Sequence, residues 1–198
     1  GEKEKKDLYI EGVQNNGIIN HYEYIINSEG TIEIRHVLKP EGKMPLWFPR
    51  IGLTLTVSDA LDQVKWYGRG PQENYPDRKT GYPMGIYAST VQAMYEPYLM
   101  PQDYGLRTDV RWLQLTTDKG IGLQFKMNEW FNFNIYPYST DNLTKAMYTY
   151  QLQKQKGMTL NLDYATTGVG CTARGVFGAY KAMPQEYRRT ISIRPMMK

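Results

Sequence analysis

Apolar residues in this chain recur at every second position, and that spacing limits the fold more than any other feature of the sequence. Ile32 and Ile34 alternate with Thr31, Glu33 and Arg35, and Leu53, Leu55 and Val57 alternate with Thr54 and Thr56. Val64 and Trp66 flank Lys65. Ile121, Leu123, Phe125 and Met127 form a longer stripe, followed by Phe131, Phe133 and Ile135 against Asn132 and Asn134. Met158, Leu160, Leu162 and Tyr164 alternate with Thr159, Asn161 and Asp163, and Ile191 and Ile193 close the series. A strand with one apolar and one polar face belongs to an antiparallel sheet that buries one side. Turn residues separate the runs: Asn15-Asn16-Gly17, Asn27-Ser28-Glu29-Gly30, Asp118-Lys119-Gly120 and Lys156-Gly157. The first three suit hairpins, because Asn and Gly tolerate positive φ. Helical spacing is never sustained for three turns. The best candidate is Ser139 to Met147, where Ser139 or Thr140 caps a short helix over Leu143. The expected fold class is all-β, with two packed antiparallel sheets in one domain.

Composition narrows the function. At 198 residues the chain can bury roughly 70% of its unfolded surface without a disulfide or metal staple. With 41% hydrophobic and 22% charged residues it is neither disordered nor fibrous. The lone Cys171 excludes an internal disulfide and leaves the redox compartment open. No apolar run approaches the ~20 residues of a membrane helix. The net charge of +4 is scattered, with its longest pairs at Lys5-Lys6 and Arg188-Arg189, which argues against a nucleic-acid surface. Seventeen tyrosines and 4 tryptophans against 5 phenylalanines suit half-buried strand faces, and also sugar stacking. Residues 1–6 read as an appended or linker segment and 7–198 as the domain.

The stretch from Gly68 to Tyr104 differs from the rest. Pro71, Pro76, Pro83, Pro97 and Pro101, with Gly68, Gly70, Gly81 and Gly85, do not suit central strands. Within it, Glu73 and Asp77 could form a carboxylate site for glycoside hydrolysis, with Glu129 a further candidate. The blander reading is better supported: the first two cap turns or pair with Arg69 and Arg78, and Glu129 is a solvated turn acid. His21 and His36 lack ligand-spaced neighbours, so neither a zinc site nor a Ser-His-Asp triad has support, and His36 reads as a strand residue with a satisfied imidazole. Arg174 is the one basic residue near Cys171, too little to activate the thiol.

The string Trp66-Tyr67-Gly68-Arg69-Gly70-Pro71-Gln72-Glu73-Asn74-Tyr75-Pro76-Asp77-Arg78 resembles the C-terminal, small-chain region of the large β-galactosidases of glycoside hydrolase family 2. Three further segments agree in order and spacing. They are Tyr95-Glu96-Pro97-Tyr98 with Pro101 to Arg107, the Phe131 to Ser139 strand, and Gly168-Val169-Gly170. The resemblance runs from about Asp7 to Ile193.

It implies a supersandwich of antiparallel sheets of the galactose-mutarotase-like kind. It also implies that the catalytic carboxylates lie in a separate barrel domain of the same polypeptide, with Mg²⁺ and Na⁺ as cofactors of the full-length enzyme and no cofactor on this chain. In the family, a loop after Gly-[Ile/Val]-Gly carries a tryptophan on which the substrate stacks. Here residues 168–180 contain no tryptophan; Gly175 stands near that place, and Arg174, Phe177 and Tyr180 are the candidate rim residues. Gly70, Pro71, Glu73, Asn74, Tyr75, Asp77 and Arg78 are expected to form a buried scaffold turn. The family's domain normally begins about a hundred residues earlier, so sheet edges paired with other segments or another copy are expected. The leading expectation is therefore an accessory domain that closes the sugar pocket of a β-galactosidase, with a β-galactoside as substrate and homo-oligomerisation open. The alternatives are a carbohydrate-binding module using Tyr75, Tyr82, Tyr87, Tyr95 and Tyr98, and an independent mutarotase-like or hydrolytic enzyme. Neither histidine lies in the Gly/Pro-rich rim, so mutarotase activity is not expected.

Overall fold

The computed structural model describes residues 6–12, 17–171 and 175–197, with side chains from residue 17 onward. Ten antiparallel strands dominate: β1 (Lys6–Gly12), β2 (Ile18–Ile26), β3 (Ile32–Pro40), β4 (Arg50–Val57), β5 (Gln63–Arg69), β6 (Met84–Thr90), β7 (Arg107–Thr116), β8 (Gly122–Tyr136), β9 (Met158–Thr166) and β10 (Tyr187–Met196). One path runs β1-β2-β3-β10-β8-β7-β5-β6, and a branch adds β9 and β4 beside β8. The fold is all-β and sandwich-like. Its two leaves are continuous through β8, whose first half pairs with β10 at Gly122–Met127 and whose second half pairs with β9 at Asn132–Tyr136. The pattern explains the switch. Asn128, Glu129 and Trp130 are exposed at mid-strand, and the apolar period resumes at Phe131.

The turns at 27–30 and 118–120 join β2 to β3 and β7 to β8, with Gly30 and Gly120 at positive φ. Asn15 and Asn16 lie outside the described residues. The short helix α1 (Thr140–Lys145) is capped as expected: the Ser139 hydroxyl accepts the Asn142 N–H at 3.0 Å, and Leu143 is buried beneath it. One core gathers Ile34, Trp66, Leu113, Phe125, Phe133, Leu160 and Ile191 from both leaves. His36 on β3 and Tyr164 on β9, which are not ladder neighbours, meet at 2.7 Å and tie the leaves together. β6 sits at the end of its path, where the Gly- and Pro-rich surroundings are tolerated.

β9 departs from simple alternation. Met158 through Tyr164 are all buried, so Thr159, Asn161 and Asp163 do not face water. β9 lies between β4 and β8, and its polar side is covered by Arg50 and the 103–104 segment. That buried polar face lies beneath the site described next.

Candidate functional site

The Gly68–Arg78 segment leaves β5 and folds onto the start of β7. Its Gly70–Pro71 peptide is cis. A Cβ on Gly70 would crowd Tyr87 and Trp66, so only glycine lets the backbone pass the buried indole. Asn74 is fully buried. Its Oδ1 accepts the Thr108 N–H at 3.1 Å and the Thr108 hydroxyl at 2.5 Å, while its own N–H donates to Leu106 O at 2.8 Å. Arg107 donates to Pro71 O and Gly105 O, and burial pushes its pKa down to about 10.

Glu73 is the centre of a second knot. Its carboxylate accepts the Gly105 N–H at 2.9 Å, Arg78 Nη2 at 2.8 Å, the Tyr75 hydroxyl at 3.2 Å and the Tyr98 hydroxyl. Burial, and then the bond to Glu73, raises the Tyr98 pKa to about 12. A buried carboxylate with four donors is structurally committed. Arg69, an expected partner, pairs instead with Asp109 at 2.6 Å. Lys79 joins them at 3.0 Å, and these two cations hold the Asp109 pKa low although burial opposes its charge.

Asp77 reaches out of the segment to the glycine loop after β9. Oδ1 accepts the Val169 N–H at 3.0 Å and Oδ2 the Gly170 N–H at 2.7 Å. A Cβ on Gly168 would collide with the Asp77 carboxyl, which explains the glycine there. The loop closes on itself where the Gly168 N–H donates to Tyr180 O at 2.8 Å. It is anchored beneath by Thr167, which donates to Phe48 O and accepts the Ala182 N–H. Phe177 is 66% exposed and Tyr180 40% exposed on this loop, whereas Arg174 lies outside the described residues.

Beside the loop lies a groove of about 840 Å³, lined among others by Trp47, Arg50, Tyr98, Asp103, Thr166 and Val169. Arg50 and Asp103 line it, and beneath them lies the polar face of β8 and β9. Arg50 Nη2 pairs with Asp163 Oδ2 at 2.9 Å, and both Arg50 terminal nitrogens approach Asp103 at 3.4–3.5 Å. Asn134 Nδ2 donates to Asp103 Oδ1 at 2.9 Å, and Tyr136 donates to the same oxygen at 3.1 Å. Asn161 Nδ2 donates to Asn134 Oδ1 at 2.8 Å. Burial, reinforced by Asp103, pushes the Asp163 pKa up to about 7 despite the Arg50 charge. Burial opposes the Arg50 charge in turn, but Asp163 and Asp103 outweigh it and raise its pKa.

Other sequence candidates lie elsewhere. Glu129 is exposed on β8 and pairs with Arg189 at 2.9 Å. His36 is buried, with Nδ1 at 2.7 Å from the Tyr164 hydroxyl and Nε2 at 3.0 Å from Asn20 Oδ1. The amide oxygen can only accept, so Nε2 carries the proton and Nδ1 accepts from Tyr164. Of the tyrosines considered for sugar stacking, Tyr75 is buried, Tyr87 packs on Trp66 from β6, and Tyr95 packs edge-on against Tyr104. Tyr98 remains in the groove lining. Sequence reasoning did not single out Arg50, Asp103, Asn134, Asp163 or Trp47 as site residues. A signal existed: where strands face water the polar positions hold Lys, Glu, Thr or Arg, whereas β8 and β9 place Asn134 opposite Asn161 and Asn132 opposite Asp163.

A model of the β-galactosidase small chain matches residues 3–193. The chain belongs to the β-galactosidase small-chain family. It is 38% identical over 147 residues to a β-galactosidase of Priestia megaterium, covering 74% of this chain and 14% of that protein. A β-galactosidase of Vibrio cholerae is 39% identical over 122 residues, covering 62% and 11%, and one of Pseudoalteromonas haloplanktis is 34% identical over 148 residues, covering 74% and 14%. This small-chain domain thus spans about one-seventh or less of the length of these relatives. Its Gly-Pro-Gln-Glu-Asn-Tyr-Pro-Asp-Arg string combines two jobs: Glu73 and Asn74 lock the turn to β7, and Asp77 holds the glycine loop.

Proposed function

We propose that this small-chain domain is an accessory wall of a β-galactosidase, acting on terminal β-D-galactosyl residues, and that its glycine loop closes the rim of the sugar pocket. The catalytic carboxylates then belong to a barrel domain of the same polypeptide, against which the loop face docks. The Asp77 clasp on Val169 and Gly170 carries this reading, because it fixes a loop that carries two exposed rings and whose Gly168, Val169 and Val176 line the groove. A loop that must position a substrate gains from being held by a rigid second layer. The two glutamates that the sequence offers for catalysis support an accessory role. Glu73 is enclosed by four donors and Glu129 is paired on an exposed strand, so neither is poised as a proton donor or nucleophile.

The small-chain residues would bind and orient substrate; proton transfer and bond cleavage would occur on the partner domain. Magnesium and sodium, where the whole enzyme uses them, would sit there too. Among the described residues no group of three or more His, Cys, Asp or Glu is arranged to hold a metal, so no step is assigned to one here. A carbohydrate-binding role for the loop tyrosines is less favoured, because Tyr75, Tyr87 and Tyr95 are packed internally.

The test is kinetic. In the full polypeptide that carries this chain, Phe177→Ala and Tyr180→Ala are expected to raise KM for a chromogenic β-galactoside several-fold. Each lost ring contact contributes about 1 kcal/mol. Unchanged KM in both variants would remove the rim role.

A further inference from the structure

We propose that the Arg50–Asp103 pair and the Trp47 ring form a binding site for a neutral pyranose sugar on the floor of the groove. The inference rests on the rim reading for the choice of a galactoside, and on the groove's own geometry for the site. A volume of about 840 Å³ lies within the range of small-molecule sites, about 300–1,000 Å³.

The electrostatics select the ligand class. Arg50 is paired with Asp103 and with the buried Asp163, and Arg78, also in the lining, with Glu73. Among the described lining residues no unpaired cation is left to attract an anion, so what these residues offer is directional hydrogen bonding. Asp103 offers it asymmetrically. Oδ1 receives Asn134 at 2.9 Å, Tyr136 at 3.1 Å and Arg50 at 3.4 Å, whereas Oδ2 has a long 3.5 Å contact with Arg50. The Asp103 side chain is 44% exposed and that of Arg50 25%. An underused acceptor thus stands beside an underused donor, Arg50 Nη1. Adjacent sugar hydroxyls, each both donor and acceptor, satisfy such a pair in one geometry.

The apolar half of a pyranose needs a flat partner. The Trp47 ring, 39% exposed, lines the same groove, as does Tyr98. An amphipathic ring beside a hydrogen-bonding pair meets the C–H face of a sugar while its hydroxyls reach the floor. Thr140, Thr144 and Thr166 also line the groove, their hydroxyls bonded within the protein. The floor is pre-organised, because Asn134 and Asn161 are fully buried and bonded to each other behind Asp103. Binding therefore needs little ordering of the protein.

The site is tested on the 198-residue chain itself by following amide and indole shifts in a ¹H–¹⁵N titration with methyl β-D-galactopyranoside. Saturable shifts centred on Trp47, Gln102 and Thr166 are expected, weakened about tenfold by Trp47→Ala and by Asp103→Asn and unaffected by Phe177→Ala. Trp47→Ala removes a partly exposed ring and decides the matter where Asp103→Asn disturbs the fold. Absence of saturable shifts up to concentrations on the order of 100 mM, shifts mapping away from the groove, or equal binding by Trp47→Ala would each overturn the proposal. Tighter binding of galacturonate than of the neutral glycoside would overturn the assignment of ligand class. The rim reading fails separately, through unchanged KM of the Phe177 and Tyr180 variants in the full polypeptide.

Discussion

The Asp77 carboxylate accepts the Gly170 N–H at 2.7 Å across 93 residues of sequence, and its other oxygen takes the neighbouring Val169 N–H. A turn built from one end of β5 therefore sets the position of a loop that follows β9. Removing the acceptor leaves two loop N–H groups without their partner. Hydrogen bonds to a charged group contribute about 1.5–3 kcal/mol each when buried; the half-buried Asp77 places the combined loss from Asp77→Ala near ~2 kcal/mol. Amide exchange at Val169 and Gly170 is expected to accelerate as well. An unchanged melting temperature with unchanged exchange would contradict the clasp.

Gly168→Ala probes the same contact from the other side. Its Cβ would collide with the Asp77 carboxyl, so loop and turn must separate. The two substitutions damage one interaction, and the double variant is expected to be less destabilised than the sum of the singles. Additive losses in urea midpoints would show that the two sites are independent.

Glu73 and Arg78 are paired at 2.8 Å but are not equivalent. Glu73 is buried, whereas the Arg78 side chain is 48% exposed. Glu73→Ala strips the partner from the Gly105 N–H and the Tyr75 hydroxyl, both buried, and is expected to cost about 3–5 kcal/mol. Arg78→Ala leaves Glu73 with three donors and should cost about 1 kcal/mol or less. Equal costs in denaturant unfolding would refute the asymmetry.

Stability should respond to pH through two buried groups of opposite sign. Burial lowers the His36 pKa from 6.5 to about 4, so below pH 6.5 the unfolded chain takes up a proton the native state refuses. The His36 contribution is complete above pH 6.5 and is lost as pH falls toward 4. Asp163 keeps its proton up to about pH 7 in the native state, while an ordinary aspartate loses it near 3.8. Its contribution is present at low pH and lost as pH rises through that window. Relative to the parent chain, His36→Gln should make stability fall more steeply with rising pH between 4 and 6.5, and Asp163→Asn should tilt the profile the other way. The His36 effect is limited to about 1.4 kcal/mol per pH unit. Parallel urea-midpoint profiles for all three proteins would contradict the shifts.

How far these features are readable from the sequence depends on what each residue signals by itself. The strands of Ile32 to Ile34, Leu53 to Val57 and Phe131 to Ile135 are legible because apolar residues recur at period two within each segment. The Ser139 cap and the glycine hairpins are legible because their chemistry is local. β2 and β7 are harder. His21, Tyr22 and Glu23 blur the period in β2, and in β7 register shifts around Val110 break it. The polar layer beneath the groove is least legible, since Asn134, Asn161 and Asp163 look like a wet face until β4 and the Asp103 segment cover them. The pairing of Asp77 with the glycine loop depends on a contact between distant segments, and no spacing rule reports it.

The most direct measurement of the central claim is hydrolysis of a chromogenic β-galactoside by the purified 198-residue chain, with magnesium present, beside the full polypeptide under the same conditions. The account expects turnover by the full polypeptide and none by the chain alone, because Glu73 is enclosed in its turn and Glu129 stands on an exposed strand paired with Arg189. Saturable turnover by the chain alone, abolished by Glu73→Gln or Glu129→Gln, would contradict it and place the reaction on this domain.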